Sequence, residues 1–188
     1  RFELEQGFAE LTYTSGVRVI LEGPADFEVA ENGGRLRHGR ISANVPPSAV
    51  GFTVDFAYAG LPAQLIDRGT EFGLDVQTDG VAKVRVFEGK VDVVAGGNTY
   101  KLTVNDALRL SADGVEAIEL DTSAFARELP AHPETDGDLV WQSEPPPDLD
   151  GEAGATIDHA IIFCERRGVR LPRGTVVNVT QPGTFAGP

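Results

Sequence analysis

Val81-Ala82-Lys83-Val84-Arg85-Val86-Phe87-Glu88-Gly89-Lys90-Val91-Asp92-Val93-Val94 is the stretch that decides the fold. Ala82, Val84 and Val86 fall on one side of a period-two pattern, with Lys83, Arg85 and Phe87 on the other. Val91 and Val93 repeat the pattern against Lys90 and Asp92. Side chains alternate across a strand, so each run is a strand with one apolar and one wet face, the signature of antiparallel pairing. Glu88-Gly89 between them reads as a two-residue hairpin turn.

The same grammar extends outward in both directions. Upstream, strand runs are expected at Phe8 to Tyr13, Val17 to Leu21, Phe27 to Val29, Arg40 to Val45, Val50 to Val54, Gln64 to Ile66 and Phe72 to Val76. Downstream they are expected at Tyr100 to Val104, Ala107 to Leu110 and Val115 to Leu120. Asn, Asp and Gly cluster at most of the breaks, as in Asn32-Gly33-Gly34, His38-Gly39, Asp79-Gly80 and Asp113-Gly114, and these residues tolerate the positive φ of tight turns. Glu22-Gly23-Pro24 separates two of the upstream runs. No helical period intervenes, which excludes an alternating α/β sheet. The expected fold is all-β: many short, mostly antiparallel strands in a sandwich or solenoid-like domain over residues 1–129, with a partial second β unit at the C-terminus.

Only Ser123 to Glu128 reads as helical, behind the plausible cap Asp121-Thr122. Residues 130–156 change character: Pro133 and Pro145-Pro146-Pro147 appear, Lys and Arg vanish, and Val140-Trp141 is the one apolar island. This is expected to be an acidic linker or long loop. Residues 157–188, with strand runs at Ala160 to Cys164 and Thr175 to Val179, are expected to begin a second β segment that is cut short. The start at Arg1 inside a strand pattern and the stop at Gly187-Pro188 point to a piece of a longer protein, with targeting signals outside it.

The charge balance narrows the partners. The 188-residue chain has 29 acidic against 16 basic residues, net −13. Phosphate binding needs clustered Lys and Arg, so nucleic acid is disfavoured, and an anionic membrane face for the same reason. No apolar run approaches the ~20 residues of a membrane-spanning helix. The single cysteine, Cys164, excludes an intramolecular disulfide and sits in an apolar run as a small core residue.

Chemistry is sparse. His38, His132 and His159 are scattered, no Cys-x-x-Cys exists, and no metal or cofactor site is expected. No Gly-x-Ser-x-Gly elbow or phosphate loop is present. Asp148-Leu149-Asp150-Gly151-Glu152 offers carboxylates for calcium but lacks EF-hand spacing, and reads as a solvated acidic loop. No catalytic residue is assigned and an enzyme is not expected. Trp141, the only tryptophan, is a candidate exposed contact, for a sugar, a partner or the domain itself.

One run carries a resemblance. Ile66-Asp67-Arg68-Gly69-Thr70-Glu71-Phe72-Gly73-Leu74 is similar to the Gly-Thr-Glu-Phe core of the FecR family, and Val86-Phe87-Glu88-Gly89-Lys90-Val91 to its following hairpin. Leu36 to Ile41, Gly51 to Val54 and Asn105 to Leu110 fit the family's order, and Leu21-Glu22-Gly23-Pro24-Ala25 resembles its planctomycete surface-protein variant. The resemblance covers roughly residues 5–120. It implies an extracytoplasmic all-β domain, in the periplasm or at the cell surface, anchored through segments outside this chain. In the best-known members that domain relays a surface signal to a cytoplasmic sigma factor. The family's usual Thr-Pro is replaced by Asp55 to Pro62, and its sigma-binding helical segment has no counterpart here, so sigma-factor regulation is not assigned to these residues.

Gly69, Thr70, Glu71, Phe72 and Gly89 are read as structural: the glycines for positive φ or close approach, Thr70 bonding nearby backbone, Phe72 entering the core. The expected function is a non-catalytic signalling or protein-interaction module. The alternative is a glycan-binding β module of an exported protein. An open edge strand favours the first and an exposed aromatic platform the second.

Overall fold

The computed structural model describes residues 1–5, 7–129, 140–143, 157–163 and 178–179. Its strands are β1 (Phe2–Leu4), β2 (Phe8–Tyr13), β3 (Arg18–Ala30), β4 (Gly33–Asn44) and β5 (Thr53–Tyr58). Then come β6 (Leu61–Asp67), β7 (Glu71–Val76), β8 (Ala82–Glu88), β9 (Lys90–Ala95) and β10 (Asn98–Thr103). The series closes with β11 (Ala107–Ser111), β12 (Gly114–Ala117), β13 (Val140–Ser143), β14 (Ile157–Phe163) and β15 (Asn178–Val179). Two single 3-10 turns, Pro47–Ala49 and Thr122–Ala124, are the helical content among the described residues. The fold is all-β, as the alternation requires.

All the strands belong to one hydrogen-bonded sheet, whose main path is β10-β9-β6-β5-β4-β3-β2-β14-β13. Among the described residues every pairing is antiparallel except β4 with β5, which run parallel over Gly33 to Arg35 and Thr53 to Asp55. Long strands change partner along their length, and that curls the sheet. β3 lies beside β2 over Arg18 to Glu22 and beside β1 over Ala25 to Phe27. β4 lies beside β5 at its start and beside β7 from Gly39 to Asn44. The β6–β9 pair turns a corner and continues as β7–β8.

The curl closes on a single core, to which nearly every strand lends its apolar alternates: Leu11 and Leu21, Leu36, Val54 and Leu65, Leu74, Val84, Val91 and Leu110. In β2, Ala9, Leu11 and Tyr13 point in while Phe8, Glu10 and Thr12 are half-exposed. Tyr13 meets Phe52 edge-to-face with ring centres 5.1 Å apart, and its hydroxyl donates to the Gly33 carbonyl at 2.7 Å. That bond is what makes a buried tyrosine affordable.

Four sequence expectations change. Glu22-Gly23-Pro24 does not end a strand: β3 runs through it, with its register against β4 shifting between Glu22 and Asp26. His38-Gly39 likewise lies inside β4, where Gly39 packs against Ala25 across the shift. Glu88-Gly89 is not a hairpin turn. β8 pairs with β7 and β11, β9 with β6 and β10, and the two do not pair with each other. Alternation fixes a strand's face but not its neighbour, so a corner glycine and a turn glycine look alike in sequence. The expected helix at Ser123 to Glu128 is reduced to the 3-10 turn ending at Ala124, because its side chains are taken up by the sheet beneath.

The C-terminal strands attach to the first sheet. β14 pairs with β2 from Ile157 to Phe163, β13 with β14, and β15 with β1. Val140 and Trp141, the apolar island of the expected linker, are thus in a strand. The side chains of Trp141 and His159, and all of His132, Cys164 and the acidic loop at 148–152, lie outside the described residues.

Candidate functional site: a glycine-locked corner under a strap

β6 ends at Asp67 and β7 begins at Glu71; β8 ends at Glu88 and β9 begins at Lys90. Both strands therefore turn the corner side by side, bracketed by Asp67 opposite Val91 and Glu71 opposite Glu88. The Arg68 amide donates to the Lys90 carbonyl at 3.1 Å, and the Val45 amide to the Thr70 carbonyl at 2.9 Å. Gly69 has φ +90° and Gly89 φ +75°. A Cβ on Gly89 would overlap the Gly69 carbonyl oxygen and come within 2.8 Å of Thr70 Cγ2. The two glycines thus form one interlock between crossing backbones, and Gly89 meets both conditions that select glycine. Phe72, next along, is fully buried in the core.

Two polar groups are enclosed at this corner. Asp67 is 0% exposed. One carboxylate oxygen accepts from the Gly69 amide at 2.8 Å, while the other has no hydrogen-bond partner among the described residues. Burial pushes its pKa up to about 6, against the pull of the amides of Gly69, Thr70, Gly51 and Arg68. Desolvation penalises the charged carboxylate and the amides favour it, and here the first is the larger effect. The Thr70 hydroxyl, expected to bond nearby backbone, is instead buried without a partner among the described residues.

Glu71 faces the other way, outward. It is 8% exposed because a strap covers it. After β12 the chain crosses back over the outer face of β8, β7 and β4 as residues 118–129. Arg85 fixes its start, donating to the Leu120 carbonyl at 2.6 Å. The Asp121 carboxylate caps the 3-10 turn by accepting from the Ser123 amide at 2.9 Å. Phe125 then lies flat on β7: a Cβ on Gly73 would sit 2.7 Å from its ring. The Phe125 ring meets Phe87 edge-to-face at 5.7 Å. The Ser42 hydroxyl donates to the Ala126 carbonyl. Arg127 closes a two-pronged ion pair with Glu71, Nε to Oε1 at 2.6 Å and Nη2 to Oε2, with its guanidinium 4.9 Å from the Phe87 ring centre. The carboxylate raises the Arg127 pKa further.

The motif residues Gly69, Thr70, Phe72 and Gly89 thus meet at one point, with Glu71 reaching from it to the strap. The sequence gives no hint of Arg127, Ser42 or Gly73, which lie far apart along the chain; the only signal is Phe125 and Arg127 two residues apart in a segment without strand alternation. His38 lies elsewhere. It lines a cleft of about 230 Å³ where β3 and β4 bend, together with Glu22, Arg40, Asp75 and Gln77. Among the described residues no group of three or more His, Cys, Asp or Glu is arranged to hold a metal ion.

The sheet also has an open margin. Among the described residues β10 pairs with β9 alone. The Thr103 amide donates to the Asp106 carboxylate at 2.8 Å, not to β9. By the two-residue alternation of an antiparallel ladder, the amides of Thr99 and Lys101 face the same open side.

No family model matches the chain, and no curated protein matches it. Two solved structures from Parabacteroides distasonis ATCC 8503, each named a "putative anti-sigma factor", share its fold. One superposes with a TM-score of 0.54 at 19% identity and the other with 0.51 at 18%, each over 64% of this chain and 60% of the neighbour. The chain therefore spans about 60% of the length of those neighbours, and at such identity the likeness is one of fold.

Proposed function

We propose that this chain is a non-catalytic, extracytoplasmic protein-interaction module of a bacterial signalling protein of FecR kind. The observation that carries the reading is the open edge of β10, with the amides of Thr99 and Lys101 turned away from β9. A row of unpaired donors and acceptors is a template for an added strand. The fold neighbours named as anti-sigma factors and the Gly69 to Phe72 motif lend the reading its signalling context. The net charge of −13 favours a basic or neutral partner. The glycan alternative draws less support: among the described residues the large exposed apolar side chains are Val50, Leu61 and Val104, none aromatic.

The test is genetic. Deleting the coding segment in the producing bacterium should change a defined set of transcripts. Lys101→Pro, which removes one outward amide without touching the ladder to β9, should reproduce that change at unaltered protein level, whereas Lys101→Thr should not. If the deletion leaves transcription unchanged, the signalling reading fails. Glycan-array binding that survives Lys101→Pro would favour the alternative.

A further inference from the structure

The strap is held to the sheet by side chains. From Leu120 to Arg127 it forms no ladder with the sheet below it. Its links are side-chain links: Arg85 to the Leu120 carbonyl, Ser42 to the Ala126 carbonyl, Phe125 on Gly73 and Arg127 to Glu71. Arg127 remains 48% exposed while its partner Glu71 is almost fully covered. The main core cluster does not include Phe125, which is buried apart from it. A segment held this way opens at lower free energy than the ladder it rests on. What it would uncover is shaped: a bare backbone shelf at Gly73 wide enough for one aromatic ring, a carboxylate at Glu71 set for a guanidinium fork, and a hydroxyl at Ser42 aimed at the carbonyl between them.

We propose that this outer face of β4, β7 and β8 is a recognition groove for an extended segment of the pattern Phe-x-Arg supplied by a partner protein, and that Phe125-Ala126-Arg127 is its resident occupant in cis. The occupant's own contacts define the chemistry of the competitor. An aromatic ring is required where a Cβ on Gly73 would intrude. An arginine is required two residues on, because Glu71 takes it as a bidentate fork and the Phe87 ring stacks beneath its plane; a lysine offers neither. The net charge of −13 over the whole chain favours such a basic segment, although Arg40, 5.9 Å from the Phe125 ring centre, puts one cation at the groove itself. This deepens the protein-interaction reading at a surface separate from β10, so the loss of either site leaves the other measurable.

The experiment uses the whole chain and a fluorescein-labelled peptide of the sequence Asp-Thr-Ser-Ala-Phe-Ala-Arg-Glu-Leu, read by anisotropy. Wild type should bind it weakly, since the cis segment competes at high effective concentration. The variant Phe125→Ala/Arg127→Ala should bind at least ~10-fold more tightly. Replacing Phe or Arg in the peptide by Ala, or adding Glu71→Gln to the variant, should each cost ~10-fold or more. Glu71→Arg in the variant should switch preference to a peptide with Glu in place of Arg. A folded variant that binds no peptide up to millimolar concentration overturns the proposal, as does binding indifferent to Glu71. If the double variant does not fold, Arg127→Ala takes its place; if that too fails to fold, the strap is an integral folding element and the proposal is wrong. Dimerisation of wild type through exchanged straps, seen as a doubled mass by light scattering and abolished by Arg127→Ala, would make a second copy the occupant and overturn the claim of a foreign partner.

Discussion

Two bends of the sheet differ in how far solvent reaches them. Where β3 and β4 curl, around Glu22 to Asp26 and His38-Gly39, charged side chains line the bend and solvent reaches it. Arg40 donates to Glu22 at 2.8 Å, and Asp26 lies between Arg1 at 2.9 Å and Arg37 at 3.8 Å. At the Gly69–Gly89 corner the backbones themselves interlock and solvent is shut out. Asp26 sits at the first bend and Asp67 at the second, and their titrations diverge. The Arg1 hydrogen bond holds the Asp26 carboxyl below the ordinary range, whereas burial drives Asp67 up to about 6. Both bends carry a glycine at positive φ whose Cβ would run into the crossing strand, but the overlap is closer at Gly89, 2.2 Å from the Gly69 carbonyl oxygen, than at Gly39, 2.5 Å from Ala25 Cβ and 2.6 Å from the Pro24 carbonyl oxygen.

The sharpest way to break the comparison is therefore at Gly89. Gly89→Val adds a Cβ against the Gly69 carbonyl oxygen at a backbone angle that L-residues rarely adopt. Neither atom is the free end of a flexible side chain, so relief requires one of the crossing strands to shift. A loss of about 3 kcal/mol or more is expected. Urea unfolding followed by far-ultraviolet circular dichroism would register it as a lower midpoint at unchanged slope. An unchanged midpoint would mean that the corner is not locked by backbone.

The second prediction sets the two aspartates against each other. Asp67 binds its proton more tightly folded than unfolded, where its ordinary value is 3.8. The folded state therefore holds more protons between about pH 4 and 6, and this residue's contribution to stability falls as pH rises through that window, then levels off above it. Asp67→Asn keeps an oxygen to accept from the Gly69 amide and removes the buried charge. It should stabilise the protein by roughly 2 kcal/mol at pH 7.5 and by almost nothing at pH 4. Asp26 has the reverse sign: its depressed pKa gives stability that is present above the ordinary value and lost as pH falls. Comparing wild type with Asp67→Asn across pH isolates the buried group from that opposing trend. A difference that is flat with pH would show that Asp67 is hydrated.

How far these features could be read in advance follows the same division. Alternation marked strand β2 from Phe8 to Tyr13 to the residue, and placed Ala82, Val84 and Val86 inside, because local sequence alone decides which face is apolar. Positive φ at Gly69 and Gly89 was legible too, from residue type and flanking strands. Pairing was not. Glu88-Gly89 has the composition of a hairpin turn, and only the neighbours chosen by β8 and β9 make it a corner. Glu22-Gly23-Pro24 has the composition of a break, and the long β3–β4 ladder overrides it by shifting register. The strap was missed for a related reason. Phe125 and Arg127 carry no period, and their partners Gly73 and Glu71 are recognisable only once β7 presents its outer face. Arg127 and Glu71 are 56 residues apart, a contact no local pattern encodes.

The smallest expected effect lies at the open bend, and its smallness is the point. Glu22 and Arg40 are each about one-third exposed, at 29% and 35% for their side chains, so their attraction is screened and their ordering in one geometry offsets part of the gain. Glu22→Gln keeps an acceptor for Arg40 and removes only the charge. It should cost about 0.5 kcal/mol at low ionic strength, and the difference from wild type should fade at 0.5 M salt, where the Debye length is only about 4 Å. The buried charge at Asp67 is beyond the reach of mobile ions, so the Asp67→Asn difference should persist at the same salt. Thermal melts of both variants at low and high salt make the measurement. If Glu22→Gln were to cost several kcal/mol, or its effect to survive salt, the charges of the β3–β4 bend would be as enclosed as Asp67, and the distinction between a solvated bend and a dry one would collapse.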